Sequence, residues 1–355
     1  MSAALTTHDS WLTSEGAAAI VRREHLMPVE GRDGVIFPAT FAAGDGFPGG
    51  YNIDPSPEAE ENVCLIDSVG SQANRIEPIF ATDPCAALVP QVTIKVGDKL
   101  VALLEAGHRA GDAVVRCTEL QKELRGAFRA LQAGDAAPLA KLAPTSLLFG
   151  VWDSRDTQAK APRLIASTIR AYNVRRLTRG AQFVPAVDYV AAGALPEPTD
   201  RATRDKYAER GFTHVPSSAT HGGVIATGGI RRDATLSLAA LRLLRAGADE
   251  EGTLALRRYI LGLALVAFTA RPTTYLRQGC NLVPDPDKQS EFVEVRSDGA
   301  RAALNLTHDA ALEYAAAAAA AFGVGENWEV QFDRQLDPTD GADGKPAKRS
   351  KKAKA

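Results

Sequence analysis

Seven basic side chains fall between Trp152 and Arg179, in WDSRDTQAKAPRLIASTIRAYNVRRLTR: Arg155, Lys160, Arg163, Arg170, Arg175, Arg176 and Arg179, against two acids, Asp153 and Asp156. Such a surplus calls for a polyanion. Trp152 and Tyr172 stand among the arginines, and guanidinium groups beside aromatic faces hold flexible nucleic acid by pairing with phosphate and stacking on bases. The stretch reads as an RNA-binding surface. Ser71, Gln72, Asn74 and Arg75 follow the apolar run Val63 to Ile66. These donors suit a phosphate or sugar-edge contact. They equally suit a Ser turn capping a helix, with Arg75 paired to Glu77. His108 and Arg109 stand between Gly107 and Gly111, where backbone can come close to a ligand. In THGGVIATGGIRRDATL, glycine pairs precede Arg231, Arg232 and a predicted helix beginning near Asp233. That arrangement suits an anion at a helix N-terminus, or simply a tight turn between sheet and helix.

Catalytic patterns do not emerge. From Gly223 the P-loop spacing begins, but Gly229 and Ile230 stand where Lys and Ser or Thr are needed, and the dinucleotide pattern is absent from this segment. A nucleotide-using enzyme built on Gly222 to Gly229 would have to bind ATP or NAD without either motif. His214 and His221 have no partner acid at ligand spacing, and HExxH and GxSxG do not occur. No metal, no cofactor and no enzymatic activity are therefore expected. Asp67, Asp153 and Asp156 are the carboxylates near the polar constellations, and isolated acids of this kind usually pair with neighbouring arginines.

Charge confines any such surface to a local face. The chain carries 41 basic and 43 acidic residues, a net charge of −2. Its last eleven residues, KPAKRSKKAKA, hold six basic groups and no acid, so the remainder stands at −8. A body that acidic cannot coat its whole surface for nucleic acid. No uninterrupted apolar run approaches the roughly 18 residues needed to cross a bilayer, the longest being Ile260 to Ala270. The N-terminus lacks the pattern of a secretory signal, and a cytoplasmic protein is expected. The four cysteines, Cys64, Cys85, Cys117 and Cys280, stand apart and read as reduced core thiols.

The elements that must position these residues are read as follows. Residues 1–15 form a flexible lead-in, and Glu15 to Glu24 an alanine-rich helix ended by Arg22 and Arg23. Residues 35–61 and 193–215 are inserted loops, the first dense in Gly and Pro from Val35 to Pro57. Gln91 to Val96 and Lys99 to Leu104 form a hairpin around Gly97-Asp98. Thr118 to Gln132 is an amphipathic helix, and Ser146 to Trp152 a buried strand. Leu164 to Val174 fits either period, with β-branched content favouring a strand. Ala234 to Ala246, Thr253 to Thr269 and His308 to Phe322 are helices, and Phe292 to Val295 is a strand. One domain covers 16–333, and 334–355 is a disordered basic tail.

The strings IDSVGSQANRIEPIF, LLEAGHRAGDAVVR, LAPTSLLFGVWDSRDTQAKAPRLIASTIRAYNVRRLTR, ATHGGVIATGGIRRDATLSLAALRLL and LRQGCNLV, in that order, resemble the backbone subunit of type I-G (formerly I-U) CRISPR effector complexes. That subunit is a Cas-seven-group protein of the RAMP superfamily, and the resemblance covers about Arg22 to Asp333. It implies an α+β fold, an RRM-like (ferredoxin-like) core with large insertions described as palm, fingers and thumb. It implies a non-catalytic protein whose copies polymerise along a CRISPR guide RNA in antiviral defence and present it for pairing with target DNA. Further implied partners are a large subunit, a fused guide-processing subunit and a recruited helicase-nuclease, with no membrane. The alternative is a metal-dependent ribonuclease that cuts target RNA through a loop aspartate: Asp67, Asp153 or Asp156. Ser71, Gln72, Asn74, Arg75, His108, Arg109, the basic residues from Arg155 to Arg179, Arg231 and Arg232 lie in the family's distinctive strings, and divide between RNA and the neighbouring subunit.

Overall fold

The structure is a computed structural model that describes residues 3–14 and 16–336, so nearly all of the basic tail read from the sequence, from 337 onward, lies outside the described residues. Eight strands organise the chain: β1 (Ala17–Pro28), β2 (Val63–Asp67), β3 (Ile165–Tyr172), β4 (Val174–Phe183), β5 (Val215–Ala226), β6 (Ile230–Ser237), β7 (Cys280–Pro284) and β8 (Glu291–Arg296). The principal helices are α1 (Val69–Ile76), α2 (Gln121–Gln132), α3 (Pro144–Phe149), α4 (Arg201–Glu209), α5 (Glu250–Thr269) and α6 (His308–Phe322). The fold is α+β. In the main sheet β6 lies between β1 and β3, and β2 adds to the outer edge of β3. The other edge of β1 takes β8 along its first half and β7 at its end, and all these pairings are antiparallel. The connections from β1 to β3 and from β6 to β8 each carry helices and step over one intervening strand.

One face of the sheet is covered. Ile20, Leu236 and Ile165 stand opposite one another in register and join a core with Leu256, Ile260 and Leu263 of α5. Asp249 caps α5 by accepting from the Gly252 amide, and Glu250 and Glu251 favour its positive end. At 20 residues α5 is long and apolar enough to cross a membrane, unlike the run Ile260 to Ala270 alone, but residues 259–268 are all buried in this core.

The hairpin joining β3 to β6 continues past the sheet as a two-stranded ribbon, β4 paired with β5 from Val174↔Ala226 to Phe183↔Val215. The junction needs left-handed backbone on both strands, supplied by Asn173 (φ 49°) and Gly229 (φ 85°). The ladder nevertheless stays connected, since the Tyr172 amide donates to the Gly229 carbonyl at 2.9 Å and the Gly228 amide to the Tyr172 carbonyl at 2.9 Å. A second apolar cluster, including Ile53, Cys64, Ala171, Val174, Val224 and Cys280, underlies this junction. All four cysteines are buried and unbridged, and burial pushes the Cys64 thiol up to about 12.

Several elements differ from the sequence reading. Glu15 to Glu24 is not helical: Ala17 opens β1, because pairing with β6 and β8 on both edges outweighs alanine's helix preference. Ser146 to Trp152 is mostly the end of α3, with Pro144 in its first turn; a short apolar run does not reveal its period. No helix begins at Asp233, which lies inside β6, and Leu238–Leu241 is the only helix described between Ala234 and Ala246. The glycine-rich segment after Val35 is partly internal, as Ile36, Tyr51 and Ile53 are buried and Ile36 exchanges backbone hydrogen bonds with Val224. Gly223 permits this contact, since a Cβ there would lie 2.5 Å from Val35 Cγ1. The lead-in packs as well, with Trp11 and Leu12 buried and Arg258 paired to Asp9.

Candidate nucleic-acid interface

Alternation along β6 separates the two neighbouring arginines that the sequence offered together. Successive side chains on a strand point to opposite faces. Arg232, with Ile230, Ala234 and Leu236, turns to the covered face and is 6% exposed. There it pairs with Glu24, which also holds Arg22 at 2.7 Å. Arg231 turns to the open face. Its Nη2 donates to the Tyr172 hydroxyl at 2.8 Å, its guanidinium lies 4.8 Å from the Tyr172 ring centroid, and its Nε donates to Asp233 at 2.9 Å. Asp233 also accepts from Arg23 of β1 at 3.1 Å, and Glu291 joins Arg23 at 3.7 Å to Arg301 at 2.9 Å. Arg170 stands directly opposite Arg231 in the β3–β6 register. Like charges so placed disfavour the sheet. The open face thus presents Arg170, Arg231, Arg23 and Arg301 against Asp233 and Glu291, a cationic strip with the Tyr172 ring beside it.

Beyond this face the ribbon carries Arg175, Arg176 and Arg179, all exposed. Arg176 meets Glu58 at 3.9 Å, a loose pair with Glu58 75% exposed, and Arg175 has no ion pair among the described residues. At the opposite end of β3, roughly 26 Å away at about 3.3 Å per residue, Val151–Trp152 pairs with Lys160–Ala161. Lys160 Nζ lies 5.3 Å from the Trp152 ring, and Arg155 is exposed in the intervening loop. Arg163 is exposed near Gly70 at the start of α1.

The α1 constellation is chiefly architecture. Asp67, fully buried, accepts from Ser71 Oγ at 2.8 Å, Gln72 Nε2 at 2.7 Å, Arg75 Nε at 3.1 Å and Arg277 Nη2 at 2.9 Å. Ser68 caps α1, and Arg75 pairs with Asp67 rather than Glu77. Glu77 instead takes Arg109, whose Nε donates to it at 2.7 Å while Nη2 reaches Asn74 and Nη1 the Gly150 carbonyl. Arg109 is 3% exposed and lies 5.4 Å from the Phe149 ring centroid. Burial pushes the Glu77 carboxyl up to about 7, opposed by Arg109, and burial lowers the Arg109 guanidinium. Asn74 and His108 remain exposed at this corner.

The other two aspartates are also engaged. Asp153 accepts from the Thr157 amide and hydroxyl, and Asp156 takes a two-pronged contact from Arg125 at 2.7 and 2.8 Å. Among the described residues no group of three or more His, Cys, Asp or Glu could hold a metal ion. Arg23 and Arg301 join the candidate interface although the sequence did not single them out, whereas Tyr172 stood among the arginines from the start. The signal lay in two Arg-Arg pairs, at 22–23 and 231–232, whose antiparallel register sets Arg23 against Asp233 and Glu24 against Arg232.

No curated protein matches the chain. Residues 20–176, from within β1 through α1 and β3 to the base of the ribbon, match the family described as CRISPR-associated protein GSU0053. Over that stretch the chain is similar to a CRISPR-associated family, which supports a CRISPR-associated protein.

Proposed function

We propose that the chain is a non-catalytic, cytoplasmic guide-RNA-binding backbone subunit of a type I-G effector complex, polymerising along the RNA and presenting it to target DNA. The observation that carries this reading is the open-face strip of Arg170, Arg231 and Tyr172 leading onto Arg175 and Arg176 of the ribbon. Guanidinium groups grip phosphates while Tyr172 offers a base-stacking ring, a combination that holds single-stranded RNA without reading sequence. Base pairing then does the reading. The strand order β8-β1-β6-β3, fully antiparallel with two helical crossovers, supports the RRM-like core. The ribbon, inserted between β3 and β6, is assigned as the thumb. The large subunit, the fused guide-processing subunit and the helicase-nuclease are its further partners in this reading.

The occupied hydrogen-bonding of Asp67, Asp153 and Asp156 favours this reading over the ribonuclease alternative. Protein stripped of nucleic acid should bind single-stranded RNA at low salt and leave it intact with Mg²⁺. Failure to bind would overturn the assignment, and cleavage would restore the alternative.

A further inference from the structure

A second basic surface lies on the other side of the core. Helix α2 buries Leu124, Ala127 and Phe128 in the hydrophobic cluster that covers the sheet, so its outer face points away from the open-face strip. That outer face carries Lys122, Arg125, Gly126 and Arg129, three and four positions apart and hence on one side of the helix. The loop from Trp152 to Lys160 packs beside it: Arg125 forks onto Asp156, and Gln132 Nε2 donates to the Thr157 carbonyl at 2.9 Å. Across α2 and this loop the exposed charges are Lys122, Arg129, Arg155 and Lys160, against Glu123 and, just before the helix, Glu119. The other acids nearby are engaged. Asp153 is buried and accepts from Thr157, Asp156 is held by Arg125, and Asp112 and Asp135 each accept from a backbone amide two residues on. The chain's end comes to the same place, the Asp333 amide donating to the Cys117 carbonyl at 2.7 Å. Past Asp337, Asp340 and Asp343, the six basic groups of KPAKRSKKAKA begin nine positions after Leu336.

Gly126 supplies an independent observation. No atom lies within 4 Å of where its Cβ would stand. Glycine in the middle of a helix costs stability, and no packing contact calls for it here. What it permits is close approach of a ligand's backbone to the helix.

We infer that this face binds the phosphate backbone of duplex DNA, at a site separate from the guide strip. A flexible single strand is held by stacking rings along a groove. Here the surface is the outside of a helix, and its one exposed ring, Trp152, has Lys160 Nζ 5.3 Å from its centroid. A duplex offers phosphates and no base faces, which matches a surface of spaced cations around a bare helical backbone. Such contacts carry no sequence information.

The test uses the full chain, a labelled duplex DNA of mixed sequence and a short single-stranded RNA. Lys122→Ala with Arg129→Ala removes two phosphate contacts at exposed positions, so the slope of log K against log salt for the duplex should flatten by about 1.8. Between 50 and 200 mM salt the wild type should then lose about 12-fold more duplex affinity than the variant. Gly126→Leu leaves every charge in place and favours the helix, yet should weaken duplex binding because its side chain holds the DNA off. Both variants should keep the wild-type affinity for the RNA, and saturating RNA should leave duplex affinity unchanged, since the two surfaces lie on opposite sides of the core. A wild type that binds no duplex, variants that bind it like the wild type, or displacement of the duplex by RNA would overturn the site. Intact duplex binding by a chain that binds no RNA would uphold this site and strike the guide-RNA reading alone.

Discussion

Replacing Arg175 and Arg176 with Ala should change the salt dependence of RNA binding rather than the stability of the protein. Each phosphate contact on a single strand contributes about −0.7 to the slope of log K against log salt. Arg170 and Arg231 on the open face and Arg175 and Arg176 on the ribbon form one path. Four contacts per copy give a slope of about −2.8, and the double variant one of about −1.4. Between 50 and 200 mM salt the wild type should therefore lose about 50-fold in affinity and the variant about 7-fold. Fluorescence anisotropy with a labelled oligonucleotide short enough for one copy measures both lines. The melting temperature should not move, because both side chains are exposed and the contact from Arg176 to Glu58 is 3.9 Å long. Parallel salt lines for the two proteins would remove the ribbon arginines from the RNA path.

Arg109→Ala should destabilise by about 3–5 kcal/mol, the usual cost of leaving a buried partner unpaired, seen as a shifted urea midpoint with RNA affinity reduced only in proportion to the folded fraction. Because burial raises the Glu77 carboxyl to about 7, the folded state binds its proton more readily than the unfolded chain does. That contribution is complete below about pH 4.3 and is lost as pH rises through about 7. Glu77→Gln should flatten this part of the stability profile, and an unchanged profile would assign the dependence elsewhere. Gly223→Ala should loosen the ribbon's base, since its Cβ would meet Val35 Cγ1 at 2.5 Å at φ 93°; faster limited proteolysis there than in wild type is the expected result.

The local pattern revealed elements whose burial is one-sided and whose turns are marked. His308 to Phe322 was legible to the residue, and the hairpin turn at Gly97-Asp98 was placed correctly, though its second strand ends at Ala102 rather than Leu104, because cap and turn residues stand at these points. The β-branched content of Leu164 to Val174 correctly favoured a strand. Ala17 to Pro28 was hidden because its strand character comes from partners more than 200 residues away. The geometry of the candidate interface was half legible for the same reason. Arginine clustering located β3 and the ribbon, but the separation of Arg231 from Arg232 needs the knowledge that both sit on a strand. Arg75 and Arg109 looked like ligand residues because Asp67 and Glu77, which occupy them, gave no sign in sequence of being buried.

Asn173 and Gly229 make the ribbon a lever with a defined fulcrum. Ten residues of β4 at about 3.3 Å each give an arm of roughly 33 Å, so a 5° rotation at these two residues would carry the tip about 3 Å. The short side of the fulcrum is Tyr172, whose hydroxyl holds Arg231 and whose backbone bonds to Gly228 and Gly229. RNA that pulls on this tyrosine would thereby exert torque on the arm, and gripping the strand would become coupled to aiming the tip.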